Sequence, residues 1–131
     1  MKRLAFLLLT CSVLATSTSC SKDSDDAVAP TGPREYEVEY RVTSTASEAN
    51  FIAYTNESGG TSTFNNVALP VTYKFKRTMR LGDNVTILAG IDGGTPASEV
   101  TCAILLDGRE VKRETGRGAS AQAVPVWVIG Q

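Results

Sequence analysis

Apolar and polar residues alternate along most of the chain from Tyr36 onward. Tyr36, Val38, Tyr40 and Val42 are separated by Glu37, Glu39 and Arg41. A period of two sends successive side chains to opposite faces, so this segment predicts a strand with one face buried and the other in water. Val71-Thr-Tyr73-Lys-Phe75-Lys repeats the pattern. Between them lie Phe51 to Thr55 and the more polar Thr61 to Asn66. Val85 to Ile91 and Val100 to Leu106 are short apolar runs. The second of these is apolar on both faces, which predicts a central strand. Arg109 to Thr115 is charged and predicts an outer strand, and Ala121 to Ile129 closes the chain.

Turn chemistry separates these runs. Asn56 to Gly60, Leu81 to Asn84, Asp92 to Pro96 and Gly116 to Gly118 are rich in residues that punctuate strands. Asp107-Gly108 is the sharpest hairpin signal, since both residues tolerate the positive φ of a type I′ turn. Pro70 and Pro125 lack an N–H and predict a strand start, an edge or a bulge. The chain thus predicts an all-β domain of about seven antiparallel strands and no helix. Turn signals every 8 to 12 residues point to a sandwich or a barrel. An immunoglobulin-like sandwich needs roughly 100 residues, and Tyr36 to Gln131 supplies 96.

The first residues have a different character. Lys2 and Arg3 precede the apolar Leu4 to Leu9, which Cys11 to Ala15 continues less purely. Thr16, Ser17, Thr18 and Ser19 are small, and Cys20 follows. A basic start, an apolar middle and a small-residue exit describe a secretory signal. The apolar stretch, about 12 residues, is too short for a spanning helix, which needs about 20. Small residues just before a cysteine predict lipidation at the Cys20 thiol after cleavage, with residues 1–19 as the signal. Ser17 stands where lipoprotein signals commonly carry Leu. The rivals are Cys11, with a very short apolar run, and a plain signal peptide with an incidental cysteine. Residues 20–35 read as the lipidated cysteine and a flexible acidic tether, from Ser21-Lys-Asp-Ser-Asp-Asp26 through Pro33. Residues 36–131 form the domain. The acidic start resembles surface lipoproteins of certain Gram-negative bacteria, where it directs export to the outer face. A solvated spacer is the plainer reading. Either way the address is the cell envelope, at the outer membrane or cell surface.

Charge and cysteine use narrow the function. Taking Lys2 and Arg3 from the 13 basic residues leaves 11 against 14 acidic ones, a mature net charge of −3. That disfavours a nucleic-acid partner, which calls for a basic surface. The chain has no His, the commonest general base and transition-metal ligand. With Cys11 removed and Cys20 lipidated, Cys102 stands alone and no internal disulfide forms.

Each candidate for chemistry has a plainer counterpart. Asp92-Gly93-Gly94, with Asp83, offers too few oxygens for calcium and reads as a turn. Lys74, Lys76, Arg77 and Arg80 form a basic run, with Lys74, Lys76 and Arg80 expected on one face. A solvated strand face is the plain reading, and an anionic partner or lipid headgroup the sharper one. Cys102 lies in an apolar run and predicts a buried, inert thiol. Glu37 and Glu39 share one strand face, where a sheet carries charge. No Gly-x-Ser-x-Gly elbow occurs. The expectation is a protein without catalytic, cofactor-binding or metal-binding residues.

Several pieces share an order with a known family. They are Glu39-Tyr-Arg-Val42, Ala53-Tyr-Thr-Asn56, Asn66-Val-Ala-Leu-Pro70, Val85 to Gly90, and Val100-Thr-Cys-Ala-Ile-Leu-Leu-Asp-Gly-Arg-Glu-Val111. Together the chain resembles the small mycobacterial membrane protein family, accessory proteins to transporters of the resistance-nodulation-division type. The resemblance implies an immunoglobulin-like β-sandwich and a non-enzymatic, transport-accessory role. Two departures stand out. The family is anchored by an N-terminal helix, whereas here a lipoprotein signal is expected. The family also carries a second cysteine in its last strand, at the place Pro125 occupies here. A protein-interaction module in the envelope is therefore the leading expectation. A carrier of a small hydrophobic ligand held between the sheets is the alternative, and a hydrolase is a third class.

Overall fold

The computed structural model describes residues 32–131, so the expected signal segment, Cys20 and most of the tether lie outside the described residues. Nine strands follow one another: β1 (Arg34–Ser44), β2 (Glu48–Thr55), β3 (Thr61–Ala68), β4 (Val71–Met79), β5 (Asn84–Gly90), β6 (Glu99–Leu106), β7 (Arg109–Arg117), β8 (Gln122–Ala123) and β9 (Val126–Val128). They form two sheets, one in the order β4-β1-β6-β7 and one in the order β3-β2-β5-β8, with β9 also paired to β5. Every pairing is antiparallel. The two sheets pack face to face around one core, so the all-β sandwich is as the alternation predicted.

The count exceeds seven for two local reasons. The polar Thr61–Ala68 forms a full strand. The final segment is divided at Val124 and Pro125, where Pro125 cannot donate to the ladder. Pro70 sits just before β4, at the strand start expected for it.

The alternation decides which side chains enter the core. Val38, Tyr40 and Val42 of β1 are fully buried, as are Val100, Cys102 and Ile104 of β6. Ile52 of β2 and Val85, Ile87 and Ala89 of β5 face them from the second sheet. Central β6 is buried on both faces, as its composition predicted. Its outward Ala103 lies in register between Arg41 and Arg113, and Leu105 between Glu39 and Glu110. The apolar stems of such long side chains can cover small neighbours while their charged ends stay in water. At the β6–β7 turn Asp107 and Gly108 both have positive φ, 51° and 79°, as a type I′ hairpin requires. The Asp107 carboxylate then accepts a hydrogen bond from the Glu37 N–H at 2.9 Å and pairs with Arg34.

Candidate functional site

The two outward faces of the sandwich differ in charge. On the four-stranded sheet, Lys74 pairs with Glu37 at 2.9 Å and Lys76 with Glu35 at 3.0 Å. Arg41 pairs with Glu39 at 2.5 Å, Arg113 with Glu110 at 2.6 Å, and Arg117 with Glu99 at 2.7 Å. Hydrogen bonding to Glu37 holds the Lys74 ammonium above its ordinary pKa, and Glu35 does the same for Lys76. Glu39 is the one buried charged residue among those described, 7% exposed. Its carboxylate accepts the Arg41 Nε–H, so the charge is partnered.

This arrangement breaks up the basic run read from the sequence. Lys74 and Lys76 share the outer face, but each has a carboxylate across the β1–β4 ladder. Arg77 points the other way and donates from a guanidinium N–H to the Asn84 carbonyl at 2.9 Å. Arg80 lies in the following turn, where the Asp83 carboxylate accepts its backbone N–H at 3.1 Å. No single cationic patch unites the four. Asp83 is thus occupied as a turn cap. Asp92 takes part through its backbone, whose N–H donates to the Asn50 side chain at 2.6 Å.

Apart from the exposed Glu48 at the start of β2, the five-stranded sheet turns an uncharged face outward. Across 51–55, 61–65, 86–90 and 122–126 there is no charged residue of either sign. Register places Ala53 beside Thr63 on one flank and Leu88 on the other, and Thr86 beside Val126. Phe51 lies opposite Gly90, and its ring covers that glycine so closely that an added Cβ would fall 2.3 Å from Phe51 Cζ. Val124 and Val126 are 39% and 44% exposed. A shallow hollow of about 200 Å³ opens on this face, lined by Ala53, Thr55, Thr61, Thr86, Leu88 and Val124. No motif marks this face. Its signal is a shortage of charge on alternate positions of four separate strands, visible only once those strands are known to be neighbours.

A second hollow of about 390 Å³ opens at one end of the sandwich. Tyr36, Leu106, Val111 and Trp127 give it an apolar floor, and Arg34, Asp107 and Arg109 stand at its rim. The Arg34 guanidinium lies 4.2 Å above the Tyr36 ring, a cation–π contact.

The groups with chemical potential inside the domain serve the core. Burial pushes the Cys102 thiol up to about 12, partly offset by its contact with the Ala89 backbone of the facing sheet. A thiol held protonated in this way is a poor nucleophile. Tyr40 donates its hydroxyl to the Thr55 carbonyl at 2.9 Å, and burial raises its pKa. Tyr40 begins an aromatic cluster through Tyr54, Tyr73 and Phe75 to Phe64, with the closest ring centroids, Tyr54 and Tyr73, 4.5 Å apart. The cluster joins the two sheets at the β3–β4 side. The chain matches no protein-family model and no curated protein.

Proposed function

We propose that this chain is a non-enzymatic lipoprotein of the bacterial cell envelope, held by lipid on Cys20, that acts by protein–protein contact. The uncharged outer face of the five-stranded sheet is the contact surface. One observation carries this: of two outward faces on one small domain, one is laced with ion pairs and the other has none. Solvated sheet faces normally carry charge, and depletion of charge with exposed apolar groups is how interface centres differ from ordinary surface. The connectivity supports an immunoglobulin-like reading, because β1 and β4 pair in one sheet while β2 and β5 pair in the other. With the family resemblance, this favours a partner at the membrane, and an accessory role beside a transporter.

In-cell cross-linking of the tagged protein, followed by identification of what comes with it, tests the reading. Recovery of an inner-membrane transporter supports the accessory role. Recovery of outer-membrane partners alone removes the transporter and keeps the contact module, and recovery of none removes both. Mass spectrometry tests the anchor: the mature chain is expected to begin at a lipidated Cys20, and a chain that retains earlier residues would refute it.

A second reading, a carrier of a small hydrophobic ligand, draws on the hollow beside Trp127. Its volume, about 390 Å³, lies in the range of small-molecule sites. Saturable quenching or shift of the fluorescence of Trp127, the only tryptophan, by an apolar probe would support it. An unchanged spectrum would remove it.

A further inference from the structure

We infer that β3 is an open pairing edge, and that its occupant is β3 of a second copy of this chain. The inference rests on the contact-module reading and specifies where contact begins.

A sheet edge presents unpaired N–H and C=O groups, and soluble proteins guard such edges with charge, proline or brevity. Three edges of this sandwich are guarded. β4 carries Lys74, Lys76 and Arg77, and β7 carries Arg109, Glu110, Lys112, Arg113, Glu114 and Arg117. β8 and β9 are two and three residues long, with Pro125 between them. β3 is different. It runs for eight residues, pairs only with β2, and has neither a charged residue nor a proline. Residues 63–66 are all exposed, and Phe64 keeps 42% of its surface in water. Asn66, with φ of 52°, interrupts the extended backbone, so the regular open stretch is Thr61 to Asn65.

That stretch suits itself. Antiparallel pairing about a twofold axis at Thr63 sets Thr61 against Asn65 and Ser62 against Phe64 of the other copy. No charge is buried and none is opposed. The two uncharged sheets become one continuous surface, and the ion-paired sheets stay outside. A heterologous strand would need an equally unguarded edge of its own, whereas a second copy always brings one.

The twofold makes the test specific, because residue 63 of one copy faces residue 63 of the other. Sedimentation of the full chain in density-matched detergent is expected to show a monomer–dimer equilibrium. Thr63→Lys and Thr63→Glu each set like charges face to face, and each is expected to raise the dissociation constant about tenfold or more. An equimolar mixture of the two is expected to recover the dimer. Thr63 is exposed, so both variants should melt within a few degrees of the parent, which separates lost pairing from lost folding. A parent that stays monomeric at every accessible concentration overturns the inference, as does a dimer indifferent to both substitutions. If the parent is monomeric but Thr63→Lys abolishes in-cell capture of another protein, the edge serves a different strand. Self-pairing then falls and the contact module stands.

Discussion

Gly116 of β7 marks the seam where the two sheets meet, and replacing it with alanine probes the packing of the whole sandwich. It lies opposite Val100 in the β6–β7 ladder. A Cβ built there falls 1.8 Å from the Gln122 carbonyl oxygen, 2.4 Å from its carbon and 2.7 Å from its nitrogen. Real Cβ atoms essentially never come within 3.0 Å of a neighbour, and here the neighbour is backbone that cannot swing aside. Gln122 belongs to β8, which is held to β5 through only Ala89–Ala123 and Gly90–Gln122. The added methyl must therefore push β7 from β8. Overpacking of this kind costs about 1–3 kcal/mol, and backbone partners place Gly116→Ala near the upper end. The alanine recovers roughly 0.5–1 kcal/mol of the strand penalty of glycine, leaving a net loss of about 2 kcal/mol. At about 4–8 °C per kcal/mol for a domain of this size, Tm should fall by roughly 8–16 °C. Thermal unfolding followed by circular dichroism reads this directly. Gly60→Ala is the control, since its Cβ meets nothing closer than 3.5 Å. If Gly116→Ala melts with the parent, the account of the β7–β8 seam is wrong.

Tyr40→Phe leaves the Thr55 carbonyl without its hydroxyl donor, and should cost about 1–2 kcal/mol in chemical denaturation; no measurable loss would show that bond to be idle. Cys102 should resist a thiol reagent at pH 8 in the native protein and react fully in denaturant, and rapid native labelling would contradict its burial. The same thiol sets a pH dependence: its folded pKa is raised from 9.0 to about 12, so the folded state keeps a proton that the unfolded chain releases. Its contribution is whole below pH 9 and is lost as pH rises toward 12, and Cys102→Ala should flatten the stability curve in that window. Lys74→Ala removes an exposed ion pair and should change stability by less than about 1 kcal/mol, a larger loss implying that the charged face is structural rather than solvating.

The sequence carried the local structure well because strand faces and tight turns are written in neighbouring residues. Tyr36 to Val42, Asp107-Gly108 and Pro125 each act through their own backbone or their own alternation. Partner strands are not written there. Alternation says that Lys74 faces water, but not that Glu37 will stand across from it. The four basic residues from Lys74 to Arg80 therefore read as one patch, while the β1 carboxylates and the turn after β4 divide them. The uncharged face was hidden for the same reason, since Ala53, Thr63, Leu88 and Val126 come from four strands distant in the chain. Gly116 looked like a strand breaker because its constraint comes from Gln122, on another sheet. The pairing of Tyr54 with Tyr73 across the sheets was equally beyond a reading of either strand alone.

The division between a working face and a solvated face is tested most directly by photo-cross-linking from chosen positions in living cells. A photoreactive residue at Val126, exposed on the uncharged sheet, is compared with one at Lys76, exposed on the ion-paired sheet. A defined cross-linked partner is expected from Val126 and none from Lys76. Equal capture from both positions, or capture from Lys76 alone, would contradict that division.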